Sequence, residues 1–128
     1  FDSSSMDTYL SRTGLTNCTI VEETVQTLTP DSLLDETGIQ KLDLLTVDAE
    51  GYDHVILNLF PLHRIQPIII SYEYIRMDES ERLDLEERLI DYGYAVTYFE
   101  RDAIACHEDS FGHLGGRTSE SLHKNSKF

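Results

Sequence analysis

Basic residues are scarce in this chain, which has 24 aspartates and glutamates against 10 lysines and arginines and a formal net charge of −14. Because this charge repels phosphate backbones, nucleic acid is not expected as a partner. The sequence also lacks tryptophan, and its longest apolar runs are much too short to span a bilayer. We therefore expect no membrane partner, and the serine-rich start does not resemble a secretory leader.

Cysteine is rare as well, and the common hydrolase motifs are absent from the sequence. Cys18 and Cys106 lie far apart, without a CxxC pair or histidines at zinc-ligand spacing, so neither a disulfide framework nor a structural zinc site is indicated. This cysteine usage fits a reducing compartment, and we expect a cytoplasmic protein. No GxSxG elbow, HExxH helix or phosphate-binding glycine loop occurs, and the sequence predicts no metal site.

Local start and stop signals predict the first elements. β-branched residues crowd the segment Cys18–Leu28 and favour an extended strand. Thr29 offers an N-cap oxygen, Pro30 suits the first helical position, and Gly38 can close a helix in a left-handed conformation. These signals predict a two-turn helix over Pro30–Thr37.

Two apolar runs with a helix between them form the centre of the sequence. The run Leu42–Val47 is too apolar for a half-exposed strand, so we expect a strand that is covered on both faces. Apolar residues at helical spacing follow from Tyr52 to Leu59, and the helix stops at Pro61. A second apolar strand ends near Glu73, and a helix between two such strands is typical of a right-handed parallel βαβ unit.

The last third of the sequence predicts a third helix and a hairpin. Asp78 and Glu81 have the spacing of a capping box, with apolar residues at helical spacing behind them. The segments Tyr94–Phe99 and Ala103–Cys106 are separated by only three charged residues, which favours an antiparallel hairpin at the edge of the sheet. The helix and hairpin thus complete an α/β fold.

The chain is long enough for one domain. We expect residues 1–17 to be a connector and residues 18–108 to be the folded part. Residues 109–128 contain few apolar side chains, too few to offset the entropy of ordering, so we expect a disordered tail there.

Acidic residues end both central strands. Asp48 closes the first strand and Glu73 the second, so a parallel pair would bring them to one sheet edge on strands roughly 5 Å apart. Glu50 adds a third carboxylate where the helix begins. Such carboxylates can accept hydrogen bonds, act as a general base or hold a divalent cation. The alternative role of Asp48 and Glu50 is simply to cap the following helix.

Three further side chains are candidates for substrate binding: Tyr52, His54 and Tyr74. His54 could transfer protons, whereas a lone histidine is more often a surface or hydrogen-bonded group. The two tyrosines could border a pocket, whereas aromatic residues beside apolar strands more often pack in the core. The sequence leaves both alternatives open.

The order of these residues resembles one protein family. The segment Leu42–Gly51, LDLLTVDAEG, is similar to the core motif of type IDLLKIDVEG in the FkbM family of S-adenosylmethionine-dependent methyltransferases. The segments Val25–Leu34, Pro67–Glu73 and Leu85–Tyr94 resemble stretches before and after that motif. Thr46 stands where the family usually has lysine, so no role of that lysine carries over.

This resemblance implies a Rossmann-like methyltransferase sheet, with the N-terminal strands missing and an antiparallel hairpin at the C-terminal end. It implies S-adenosylmethionine as the cofactor and methyl transfer to oxygen on a sugar or small-molecule acceptor. Family members hold the cofactor on a glycine-rich turn in an earlier half, and no such turn precedes Cys18, so the cofactor-binding residues are unassigned. Asp48 would act as the base, while Glu50 and Glu73 would orient the acceptor or the methionine amino group.

Other hypotheses compete with this one. The segment Leu44–Gly51 also resembles the hhhhDxDG start of haloacid-dehalogenase-type phosphatases, although Glu50 replaces the second aspartate. A noncatalytic remnant or interaction domain would explain the missing glycine-rich turn most simply. If the first strands of the sheet are missing, an edge of the Leu42–Val47 strand is exposed, which predicts self-association unless the Cys18–Leu28 segment covers that edge.

Overall fold

A computed structural model describes residues 9–14 and 21–113 and has α/β architecture, as expected from the sequence. In chain order its helices and strands are α1 Pro30–Thr37, β1 Leu44–Val47, α2 Asp53–Leu59, β2 Ile69–Glu73, α3 Glu79–Asp91, β3 Tyr94–Phe99 and β4 Asp102–His107. A helical turn at residues 9–13 precedes these elements, and a 3₁₀ helix, Glu108–His113, follows them.

The four strands form one mixed sheet in the order β1-β2-β4-β3. Strands β1 and β2 are parallel, with Leu44 opposite Ile69 and Val47 opposite Tyr72. Strand β4 pairs antiparallel with both β2 and β3. The predicted parallel pair joined through a helix and the predicted hairpin are therefore confirmed, and the second strand of the hairpin is the one that lies against β2.

Local side-chain chemistry explains where the helices begin and end. The Thr29 hydroxyl accepts a hydrogen bond from the Ser32 amide, and Gly38 closes α1 in the left-handed region with φ of 67°. At α3, the Asp78 carboxylate accepts from the Glu81 amide while the Glu81 carboxylate accepts from the Asp78 amide. These caps satisfy N–H groups that the first turn of a helix leaves without partners. Both predicted cap sites are confirmed.

One face of the sheet carries the core. Its buried members are Val47, Ile70, Tyr72, Tyr94, Ala103 and Ala105 from the strands, Leu57 from α2, Phe60 and Leu62 from the segment after α2, and Leu85 and Leu89 from α3. The opposite face is more open, since Leu44 is 55 % exposed and Phe99 is 56 % exposed. The expectation that both faces of β1 are covered is therefore wrong for the described part of the chain, because α2 and α3 pack on the same side.

The predicted strand at Cys18–Leu28 is not found. Residues 21–28 belong to no strand and are all exposed, while residues 18–20 lie outside the described residues. β-branched side chains favour a strand only where a neighbouring strand and a packed face are available, and this segment has neither. It also leaves the outer edge of β1 unpaired among the described residues.

The region expected to be a disordered tail begins with a defined turn. The 3₁₀ helix Glu108–His113 follows β4 directly, and the Glu108 amide donates to the carbonyl of Gly93 at 2.9 Å. This bond ties the chain after β4 to the turn between α3 and β3. Residues 114–128 lie outside the described part of the chain, and the tail prediction there stays a prediction.

Candidate functional site

The carboxyl edge of the parallel pair brings together the two acidic residues that the sequence singled out. Because Val47 lies opposite Tyr72, the residues that follow, Asp48 and Glu73, stand at the same end of adjacent strands. Neighbouring strands lie roughly 5 Å apart, so these two backbone positions are close neighbours. We refer to this region, from Asp48 through Gly51 and around Glu73, as the acidic edge.

Asp48 is the least constrained carboxylate of the acidic edge. It is exposed, and within the described residues no hydrogen bond or ion pair to its side chain is found. Its carboxylate oxygens can therefore accept hydrogen bonds from a ligand without first giving up a protein partner. A general base has the same requirement, because it must reach the proton that it removes.

The turn that follows Asp48 has an unfavourable backbone conformation. Glu50 has φ of 50° and Gly51 has φ of 103°. Glycine tolerates the left-handed region without cost, whereas a residue with a Cβ is rarely found there unless its surroundings hold it. An added Cβ at Gly51 would meet only the side chain of Arg76 at ordinary contact distance, so the need for glycine is conformational.

Glu73 is held by two arginines. Its side chain is 12 % exposed, and Arg101 Nη2 lies 2.6 Å from Oε1 while Arg76 Nε lies 3.0 Å from Oε2. Arg76 Nη2 also lies 2.7 Å from Glu50 Oε2, so one guanidinium joins two carboxylates of the acidic edge. The hydrogen bonds from Arg101 and then Arg76 hold the pKa of Glu73 below its ordinary value of 4.5, although burial opposes them. A lower pKa makes a carboxylate a weaker base, which favours an orienting role for Glu73.

Sequence reasoning missed Asp53, the first residue of α2. Its side chain is 1 % exposed and is the buried charged residue of the described core. One carboxylate oxygen accepts from the amides of Ala49 and Gly51, at 3.2 and 3.4 Å, and the other accepts from the amide of Glu73 at 3.3 Å. An acidic residue two positions after the glycine was the available signal, since carboxylates favour helix N-termini. Its reach to the second strand could not be foreseen from spacing.

The three residues predicted to bind substrate lie in different environments. Tyr52 is 68 % exposed beside the turn. His54 Nε2 lies 3.0 Å from Glu81 Oε1, and His54 Nδ1 is buried without a hydrogen-bond partner in the described structure. Tyr74 packs edge-on against Tyr98, and its hydroxyl donates to a backbone carbonyl of the β3–β4 turn. Of the three, Tyr52 has the side chain most available to a ligand.

The acidic edge fits part of the cofactor that the resemblance implies. A cationic amino group or sugar hydroxyls would find acceptors in Asp48 and in Glu50, whose side chain is 61 % exposed. Among the residues that the structure describes, no three His, Cys, Asp or Glu side chains form a group that could hold a metal ion. Nor does any described helix have the length and apolar character needed to cross a membrane.

Comparison with known proteins identifies one family. Residues 2–96 match the methyltransferase FkbM domain, a range that contains both parallel strands and the whole acidic edge. No curated protein and no solved structure matches the chain. Because the matched residues make up more than half of the sequence, the chain belongs to the FkbM methyltransferase family.

Proposed function

We propose that this protein transfers a methyl group from S-adenosylmethionine to an oxygen atom of a sugar or small molecule. Family membership supports methyl transfer. The observation on which the proposal rests is the exposed carboxylate of Asp48, which has no partner among residues 9–14 and 21–113, beside the arginine-held Glu73. We also infer that the four strands belong to a Rossmann-like sheet, since β1 and β2 are parallel and joined through a helix. Open α/β sheets of this kind bind ligands beyond the carboxyl ends of their strands.

The chemistry asks for few protein groups. Bound S-adenosylmethionine would supply an activated methyl group. In our proposal Asp48 accepts the proton of the acceptor hydroxyl, which needs a carboxylate within hydrogen-bond reach and free of competing donors. Glu50 and Glu73 orient the acceptor or a cationic group near it, and Tyr52 contacts the acceptor. Alignment of the reacting groups supplies much of the remaining rate enhancement.

Replacement of Asp48 by asparagine tests the proposed base. We expect Asp48→Asn in the natural protein to slow transfer of radiolabelled methyl groups to a mixture of methyl glycosides by about 100-fold or more, because general base catalysis contributes that much. Asp84→Asn is the matched control, since Asp84 is an exposed aspartate of α3 away from the edge. An Asp48→Asn protein with the wild-type rate would remove Asp48 as the base.

The noncatalytic hypothesis is tested by binding alone. The segment before the acidic edge contains only Gly14 and Gly38, so no glycine-rich turn for the cofactor occurs there. Isothermal titration with S-adenosylmethionine separates the two hypotheses. Heat of binding by this chain contradicts a remnant without cofactor affinity, whereas a natural protein that gives no heat contradicts the methyltransferase proposal. The phosphatase hypothesis predicts magnesium-dependent release of phosphate from an aryl phosphate, and the comparisons give it no support.

A further inference from the structure

We infer that Asp53 is the positioning residue of the acidic edge: it fixes the backbone from which the proposed base and both orienting carboxylates project. The inference deepens the proposed function and rests on it. Asp53 itself is 1 % exposed and cannot reach a ligand, so its role must act through the residues that it holds.

The backbone amides that donate to Asp53 lie at or beside the proposed functional residues. Its Oδ2 accepts from the amides of Ala49 and Gly51. These two residues flank Glu50, and Ala49 directly follows Asp48. Its Oδ1 accepts from the amide of Glu73 itself. One carboxylate therefore links the turn after β1 to the end of β2, and every proposed catalytic residue is bonded to it or lies next to a residue that is.

The conformation of the turn explains why such a link is needed. Glu50 has φ of 50°, a conformation that a residue with a Cβ leaves readily when its surroundings do not hold it, whereas Gly51 adopts its positive φ without cost. The two amides captured by Asp53 lie on either side of Glu50, and the ion pair between Glu50 and Arg76 is on the exposed surface. The buried carboxylate is thus the contact that solvent and salt disturb least.

Replacement of Asp53 by asparagine is the informative change. The new side chain would be nearly the same size, but it has one acceptor oxygen, and its NH₂ group would face a backbone N–H that also needs an acceptor. We expect Asp53→Asn to speed amide hydrogen exchange at residues 49, 51 and 73 at least tenfold relative to amides of β4. We expect methyl transfer to methyl glycosides to fall about 10- to 100-fold, because displacement of reacting groups by about 1 Å has an effect of this size.

Two control variants separate positioning from general loss of stability. Leu89→Val shortens a fully buried side chain of α3 and should raise exchange throughout the sheet while leaving transfer near the wild-type rate. Asp84→Asn changes an exposed carboxylate and should alter neither quantity.

Each result has a defined meaning. Faster hydrogen exchange confined to the amides of residues 49, 51 and 73, together with slower methyl transfer, supports the inference. Unchanged exchange there, exchange raised equally in β4, or wild-type transfer by Asp53→Asn each overturns it. If the wild-type protein transfers no methyl group and binds no S-adenosylmethionine, the proposed function fails, and the exchange measurement still decides whether Asp53 holds the acidic edge.

Discussion

Removal of the negative charge of Glu73 should weaken the fold through the loss of its two arginine contacts. In Glu73→Gln the side-chain length is kept, but the charge that attracts Arg101 at 2.6 Å and Arg76 at 3.0 Å is lost. Both guanidinium groups are about half exposed or more, so water can solvate them after the change. An exposed ion pair contributes about 0.2–1 kcal/mol, and two pairs at a mostly buried carboxylate suggest a loss of about 1 kcal/mol. For a chain of this length, that loss corresponds to about 4 °C in Tm.

The pH dependence of this loss follows from the lowered pKa of Glu73. Because the native pKa lies below the ordinary value of 4.5, the native state holds the proton less tightly than the unfolded state does. The stabilisation is therefore complete above about pH 4.5 and disappears as pH falls through the native pKa. The difference in free energy of unfolding between wild type and Glu73→Gln should be largest at neutral pH and vanish in acid.

Urea denaturation at several pH values and salt concentrations measures this difference. In 1 M NaCl the screening length is about 3 Å, so the difference should shrink there as well. Glu87→Gln on the exposed side of α3 is the control and should change stability by less than about 0.5 kcal/mol. If the Glu73→Gln deficit does not decrease as the pH falls below 4.5, or persists in high salt, packing rather than charge stabilises this position, and the reasoning is refuted.

Three further predictions concern the core and the open edge. Tyr94→Phe removes a buried hydrogen bond to the carbonyl of Pro67, which should lower the free energy of unfolding by about 1 kcal/mol. Because burial raises the pKa of Tyr94 to about 12, the stability advantage of the wild type should hold below pH 10 and decline toward pH 12. A difference in stability that does not change with alkaline pH would contradict this. Leu85→Ala in the core should lower the free energy of unfolding by about 2–5 kcal/mol, whereas Leu83→Ala, at a half-exposed position, should change it by less than about 0.5 kcal/mol. Equal losses for the two variants in urea denaturation would contradict the assigned core. The outer edge of strand β1 has no charged residue to block pairing, so the chain should self-associate with rising concentration in sedimentation experiments. Thr46→Lys should prevent this self-association, whereas the control Asn58→Lys should not. A wild-type protein that stays monomeric at all concentrations would refute edge pairing.

The elements that sequence reasoning placed well are those whose determinants are local. Thr29 and Gly38 mark the ends of α1 because an N-cap and a left-handed closing residue act within one turn of the chain. The capping box of Asp78 and Glu81 likewise acts across three residues. The parallel pair followed from two apolar runs and an intervening helix, and its register then fixed Asp48 beside Glu73.

The failures involve contacts between segments that are distant along the chain. The strand expected at Cys18–Leu28 depended on a neighbouring strand that composition cannot supply. Arg101 lies 28 positions from Glu73, and nothing in its local sequence marks it as the partner of that carboxylate. Asp53 could be recognised as a helix-start acid, but its bond to the amide of Glu73 depends on how β2 lies against the turn.

These long-range contacts divide the carboxylates of the acidic edge into two groups. Glu50 and Glu73 form ion pairs with arginines, and the buried Asp53 beside the edge accepts hydrogen bonds from the amides of Ala49, Gly51 and Glu73. Asp48 has no such contact among the described residues and is exposed to solvent. A carboxylate that removes a proton must be free to exchange partners with its ligand, whereas Glu50 and Glu73 can orient a ligand while they keep their arginine partners. The same edge can serve both purposes because different residues carry them, and it is for this reason that Asp48, and not the better-connected acids beside it, is the base that we propose.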